Sequence, residues 1–325
     1  MKDKRFGIRQ AFFYFRYLMI NLSNLQNPEI KNLELLARQV VEGFITGMHK
    51  SPFHGFSVEF SEHKLYNKGE STRHIDWKLF AKTEKLYTKK YEEETNLRCH
   101  IIIDNSASMH YPVVKEQRLD QLNKIGFSAV AAASLMEVLK RQRDAVGLSI
   151  YADSYQYYAP EKGSDRHRKM LLQQLENLLT TTSNATTETY AYLHEIAKKI
   201  HRRSLLFLFT DMFQSNTHQE ELFEALRHLK YNKHEVVLFH TFDSKTEFKF
   251  DFDNSPKRFI DVETGEHINL YADRIKDIYK NAVESYFNKL KMRCMQYKID
   301  YVPVDINKGF EQILTTYLVS RKKIL

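Results

Sequence analysis

The stretch Arg98 to Met109, Arg-Cys-His-Ile-Ile-Ile-Asp-Asn-Ser-Ala-Ser-Met, constrains this chain more than any other. Its apolar run, Ile101 to Ile103, is long enough for a buried strand and too short for a helix of its own. The run passes directly into Asp104-x-Ser106-x-Ser108. In an open α/β sheet, ligands collect just past the carboxyl ends of the strands. A loop there with one carboxylate and two hydroxyls offers short oxygen donors, which suit a hard cation such as Mg2+ or Mn2+. The same residue types also cap the helix that follows a strand. The decision between the two roles rests on what other strand ends supply.

From Arg98 onward the pattern is strand, helix, strand, helix. Strands are expected at Cys99 to Asp104, Ala145 to Tyr151, Leu205 to Thr210, Glu235 to Thr241 and Lys298 to Pro303, with Ser154 to Ala159 as a returning edge strand. Helices are expected at Arg118 to Arg143, Arg166 to Leu179, Thr189 to Arg202, His218 to Tyr231, Leu270 to Gln296 and Lys308 to Ser320. Apolar strands alternating with amphipathic helices predict an α/β domain with a mostly parallel sheet covered on both faces. Phe248, Phe250 and Phe252 alternate before Arg258 to Val262 and a Glu263-Thr264-Gly265-Glu266 turn, which reads as a β-hairpin insertion near residues 247–270.

Ahead of the sheet, Glu29 to Thr46 repeats apolar residues at helical spacing, Gly55 to Leu65 and Leu86 to Glu92 alternate as strands, and His74 to Lys82 reads as a short helix. The expected organisation is an appendage over residues 1–28, a helix plus small β-rich unit over 29–97, and the α/β domain over 98–325. Lys2 to Arg9 is basic and Ala11 to Leu22 largely apolar. Arg16 interrupts that run, no small-x-small cleavage site follows, and the run is too short to span a bilayer. No stable membrane span is expected. Met19 is an alternative start that would leave the first 18 residues as upstream translation; an intact mass that includes Met1 excludes it.

A net charge of +8 allows an acidic partner, a membrane surface or nucleic acid and selects none. Much of the excess precedes residue 99, with roughly 17 Lys and Arg against 12 Asp and Glu. No nucleic-acid-binding motif accompanies it, so no nucleic-acid partner is expected. Two cysteines, Cys99 and Cys294, make neither a disulfide framework nor a zinc cluster, which fits a reducing cytoplasm.

A second apolar run, Leu205 to Phe209, also ends in a carboxylate, Thr210-Asp211. Acids at the ends of two apolar strands are what a shared crevice requires. Between them lies the hydroxyl-rich Ser183-Asn184-Ala185-Thr186-Thr187-Glu188-Thr189, opening a helix. The three pieces together resemble the metal-ion-dependent adhesion site of von Willebrand factor A (vWA) domains. That resemblance implies a Rossmann-like vWA fold in which Ser106, Ser108 and Thr187 touch Mg2+ or Mn2+. Thr186 and Thr189 are near alternatives to Thr187. Asp104 and Asp211 would act directly or through water, and an open coordination position would accept an Asp or Glu from a client protein. The usual Gly-Gly-Thr-Asp context of the threonine motif is replaced here by Ala185, Thr186 and Glu188.

The order Gly47-Met48-His49-Lys50-Ser51-Pro52-Phe53-His54-Gly55-Phe56, then Gly69-Glu70-Ser71-Thr72-Arg73-His74-Ile75-Asp76-Trp77, then Glu92-Glu93-Glu94-Thr95, resembles the bacterial vWA-like family catalogued as domain of unknown function (DUF) fifty-eight. The likeness runs from about Leu33 to the C-terminus. It implies a cytoplasmic, non-enzymatic interaction module that works with a MoxR-type AAA+ ATPase in assembling or activating client proteins. Arg73 and Asp76 are spaced to pair on one helical turn, and Trp77 is expected to anchor the small unit. The alternative reading is a metal-dependent phosphohydrolase using Asp104. It lacks a second acid, because Ser106 stands where a general acid is needed, and no Gly-rich phosphate loop is present.

Overall fold

The computed structural model describes residues 30, 32–49, 63–65, 77–89, 97–152, 155–181, 189–212, 219–261 and 265–324. By contacts the chain divides into residues 45–96 and a larger unit made of 1–44 and 97–325. In the smaller unit, β1 (His63–Leu65) pairs antiparallel with β2 (Tyr87–Lys89). A short helix, α2 (Trp77–Thr83), sets Trp77 edge-on to Phe80 at 6.1 Å. Trp77 is exposed there. Arg73 and Asp76, the rest of the Gly55 to Leu65 strand and Glu92 to Glu94 lie outside the described residues.

The helix α1 (Leu33–His49) lies in the larger unit as far as Phe44, and its Leu33, Ala37 and Val41 are buried. The sheet that follows has six strands: β3 (Arg98–Asp104), β4 (Ala145–Tyr151), β5 (Tyr155–Lys162), β6 (Leu205–Thr210), β7 (Glu235–Phe242) and β10 (Asp300–Asp305). Their spatial order is β10, β7, β6, β3, β4, β5. All neighbours are parallel except β5, which returns antiparallel along β4 as an edge. The connecting helices are α3 (Lys124–Arg141), α4 (Asp165–Thr180), α5 (Thr189–Lys199), α6 (Gln219–Tyr231), α7 (Ala272–Gln296) and α8 (Glu311–Ile324).

Side chains alternate across a strand, so each sheet face buries its own set. Ile102, Leu206, Leu208 and Leu238 pack with Leu193, Leu226 and Leu290 of α5, α6 and α7. The intervening Ile101, Ile103, Phe207 and Phe209 are fully buried toward the other face, where the Phe207 ring lies 6.0 Å from Tyr317 of α8. Helices therefore cover both faces, as the near-continuous apolar strands require. The first parallel strand, β3, sends the chain to β4 on one side, and it returns to β6 on the other. Strand order thus reverses between β3 and β6, and in sheets of this type the crevice opens at the carboxyl ends of that pair.

Two expectations shift. The stretch 118–123 is not helical; Asn123 caps α3 by accepting from Gly126 N at 2.8 Å, so the helix starts at Lys124. The alternating phenylalanines are not a strand either. Residues Ser244–Phe248 form a single wide π-helical turn, Phe250 takes a left-handed φ of 50°, and Phe250 and Phe252 pack on Phe259. The antiparallel pair lies beyond them, as β8 (Pro256–Ile260) and β9 (His267–Tyr271).

Toward the start of the strands, His100 of β3 reaches across β4 to β5. Its Nδ1 meets Glu161 Oε1 at 2.7 Å and its Nε2 meets Ser149 Oγ at 2.7 Å. The arrangement has the order of a Ser-His-acid relay, but His100 and Ser149 are fully buried. It fastens three strands together. Gly147, paired with His100 in the ladder, makes the crossing possible. A Cβ at Gly147 would lie 2.5 Å from His100 Nδ1 and 2.8 Å from the Ala159 carbonyl oxygen. Gly147→Ala is therefore expected to cost about 2–3 kcal/mol. Urea unfolding checks this by a lower midpoint at unchanged slope.

Candidate functional site

Asp104 ends β3 and Thr210 ends β6, in adjacent parallel strands whose ladder pairs Ile103 with Phe209. That register brings Asp104 beside Thr210, whose hydroxyl donates to Asp104 Oδ2 at 2.8 Å. The other carboxylate oxygen, Oδ1, accepts from the Ser106 backbone N–H at 3.0 Å. Ser106 is extended, and a short 3-10 turn over Ala107–His110 then swings Ser108 back toward it. Their hydroxyl oxygens lie 3.1 Å apart. Asn105 holds the loop from behind, donating its N–H to the Tyr151 carbonyl at 2.7 Å and its side-chain amide to Gln156 at 2.8 Å.

Asp211 follows Thr210 at the same edge. The chain turns sharply after it, with Met212 in the left-handed region at φ 53°. Two bonds hold that strained backbone: Met212 N–H donates to Thr210 Oγ1 at 3.0 Å, and the Tyr286 hydroxyl donates to the Met212 carbonyl. Asp104, Ser106, Ser108 and Asp211 are all buried. Thr187 and Thr186 lie outside the described residues, and Thr189 opens α5. Among the described residues, no group of three or more His, Cys, Asp or Glu side chains is arranged to hold a metal ion. The convergent set here is of a different kind, two hydroxyls with carboxylates.

Two residues join this set that sequence reasoning missed. Lys124, the first residue of α3, puts Nζ 2.8 Å from Asp211 Oδ2 and 2.5 Å from Glu247 Oε1. Its side chain is 1% exposed. Glu247 sits in the Ser244–Phe248 turn. Its Oε2 accepts from Asp243 N–H at 2.7 Å, and its carbonyl accepts from the Tyr279 hydroxyl at 2.9 Å. One signal for Lys124 was present: it is the sole charge between the start of α3 and Glu137, and it occupies the helix end where the macrodipole disfavours a cation. Glu247 carries no such signal, since its partner lies 123 positions away.

The electrostatics follow from burial. Asp104's carboxyl is pushed up to about 6, first by burial and then by the Asp211 charge, against the lowering bonds from Thr210 and Ser106. Burial alone would lower the Lys124 ammonium, but the charges of Asp211 and Glu247 reverse this and hold it above the ordinary lysine range. Burial and Asp211 raise Glu247. Asp211 and Glu247 both lie on the Lys124 ammonium, and Asp104 lies near enough to Asp211 to feel its charge. Nearby His240 is driven down to about 4 by burial, so it stays neutral and offers no second cation.

These donors fit a small divalent ion. An octahedral Mg2+ with oxygens at about 2.1 Å sets neighbouring ligands about 3.0 Å apart, close to the spacing of the two serine hydroxyls. Ser106, Ser108 and Asp104 would hold the ion, with Asp211 beside it.

Among curated proteins, the chain is similar to the uncharacterized proteins Rv1480 of Mycobacterium tuberculosis and Mb1516 of Mycobacterium bovis, each 19% identical over 182 residues, 56% of this chain and 56% of each relative. The chain thus spans about half the length of the curated relatives it matches. Among solved structures, it is similar to the conserved hypothetical protein BatB from Bacteroides thetaiotaomicron, at 13% identity, a TM-score of 0.41, and coverage of 70% of this chain and 98% of that one. It is also similar to the SpRpn10 VWA domain, at 11% identity, a TM-score of 0.35, and coverage of 68% and 94%. The profile of one family matches residues 62–286, more than half of the chain, and on that match the chain belongs to the family described as "Protein of unknown function DUF58".

Proposed function

We propose that this protein is a non-enzymatic interaction module whose Asp104, Ser106 and Ser108 hold Mg2+ or Mn2+, with Asp211 beside the ion, and whose open coordination position takes an Asp or Glu from a client. The observation that carries this reading is two buried carboxylates, Asp104 and Asp211, set beside paired hydroxyls at the strand-order reversal. Burying neighbouring carboxylates is costly unless cations offset them. Neutral serine ligands leave the ion electrophilic, which favours an anionic partner. The family resemblance supplies the partner class, a MoxR-type AAA+ ATPase, and with it a cytoplasmic setting. No described helix is long and apolar enough to cross a membrane.

The hydrolase alternative gains no support from the site, where Ser106 stands at the position a second acid would need.

Calorimetry of the wild-type protein is expected to register one Mn2+ or Mg2+ per chain, and Asp104→Ala is expected to weaken it at least about tenfold. Capture of a MoxR-type ATPase should then depend on the ion and be lost in Asp104→Ala. Equal capture with EDTA, with Mg2+ and with the variant defeats the reading.

A second test uses pH in the metal-free protein. Asp104's folded value of about 6 lies above its ordinary 3.8, so between these values the folded state holds a proton that the unfolded chain has released. Asp104 therefore lowers stability progressively as pH rises from about 4 to 6. Buried neutral His240 acts in the opposite sense over an overlapping range, from its ordinary 6.5 down to about 4. Only the difference between variants isolates Asp104. The stability of Asp104→Asn relative to wild type is expected to grow across that window by on the order of 3 kcal/mol. Urea titrations in EDTA at pH 4 and pH 7.5 measure it.

A further inference from the structure

Lys124 is placed against its local surroundings. A cation in the first turn of a helix opposes the macrodipole. The α3 sequence around it is otherwise small and apolar up to Glu137. Its ammonium is fixed from two sides, by Asp211 at 2.8 Å and Glu247 at 2.5 Å, on carboxylates that are themselves nearly inaccessible. Glu247 is in turn clamped by the Asp243 N–H and, through its carbonyl, by the Tyr279 hydroxyl. The turn that carries it is tied to the neighbouring strand end, where Ser244 N–H donates to Asp305 at 3.3 Å and the Asn307 amide to Asp243 at 2.7 Å. The ammonium is thus held rigidly on a carboxylate at the edge of the cation site.

We propose that Lys124 is a built-in competitor for the divalent ion, with Glu247 as its second holder. The ammonium sits on Asp211, the carboxylate that an entering ion would otherwise share with Asp104. Uptake of the ion then requires Asp211 to loosen its hold on Lys124, and Glu247 retains the displaced ammonium nearby. The arrangement holds affinity down and keeps uptake reversible, as an ion completed by a client would require. This rests on the cation-binding reading above and adds its regulation. Lys124 and Glu247 are positioning residues: neither needs to touch the ion.

The physical consequence is a sign that a merely structural ion pair would not produce. Removing the ammonium takes away the positive charge that lies on Asp211. Removing the Glu247 charge takes away one of the two carboxylates on which the ammonium rests. Lys124→Met keeps the apolar stem and removes the charge. Mn2+ calorimetry on the full chain is expected to show Lys124→Met binding at least about tenfold tighter than wild type, with a metal-free melting point that falls and recovers on Mn2+ addition. Glu247→Gln is expected to bind several-fold more weakly.

Equal or weaker binding by Lys124→Met overturns the proposal. Should that variant fail to fold without Mn2+, Glu247→Gln decides alone, and unchanged or tighter binding by it overturns the proposal. If wild type takes up no Mn2+ while Lys124→Met does, the cation-binding reading of the native protein fails and the competitor role stands. If neither takes it up, both fail.

Discussion

Repulsion between two carboxylates placed at the same edge of one sheet is the constraint around which this end of the molecule is arranged. Parallel pairing of β3 and β6 in the observed register leaves no freedom in where Asp104 and Asp211 emerge. Both are buried there, where unit charges interact several-fold more strongly than in water. The neighbours answer that repulsion one by one. Thr210 and the Ser106 N–H bond Asp104, and Lys124 neutralises Asp211. The left-handed turn at Met212, which costs about 1 kcal/mol or more for a residue with a Cβ, redirects the chain beyond Asp211 and is held by Tyr286 of α7. The start of α3, the turn after β7 and the middle of α7 are all positioned by what the two acids need.

The two ends of the sheet make an instructive pair. Toward the strand starts, His100 also brings ionisable and polar groups into the core, with Glu161 and Ser149. There a single carboxylate meets a single imidazole, and both ring nitrogens are used. Burial would raise Glu161's carboxyl, yet the bond to His100 pulls it down, so the pair favours charge on the acid. At the strand ends Asp104's carboxyl is instead pushed up to about 6, first by burial and then by the Asp211 charge. Buried acids thus give a fastening at one end of the sheet and two mutually repelling carboxylates at the other, and the second arrangement is the one that the proposed cation would relieve.

Much of this was legible in the sequence because strands buried on both faces must be short continuous apolar runs, and Ala145 to Tyr151 and Leu205 to Thr210 match their observed bounds. Asp104 and Asp211 stood out for the same reason, each terminating such a run. Most of what failed to read correctly depended on contacts between distant residues. Phe248, Phe250 and Phe252 alternate like a strand, but Phe248 packs on Phe242 and Phe287, while Phe250 and Phe252 join Phe259 and Tyr279 around a left-handed turn. Arg118 to Asn123 carries helix-compatible residues, but Asn123's side chain caps α3 and excludes them. Glu247 was absorbed into an expected hairpin because nothing local marks an acid whose partner is 123 residues earlier. Lys124 alone was detectable, as a charge whose local placement is unfavourable.

That unfavourable placement can be weighed. The macrodipole penalty at the start of α3 is at most about 1 kcal/mol, whereas breaking a buried ion pair by removing one member typically costs about 3–5 kcal/mol. The pairing with Asp211 and Glu247 therefore wins, and the helix begins at Lys124 despite its own field. Replacing such a group of charges wholesale with apolar residues is often neutral or stabilising, so stability alone gives no reason to bury three acids and one ammonium here. On the proposed reading the charges are kept because a cation from outside joins them, and the lysine on Asp211 sets what that cation must displace.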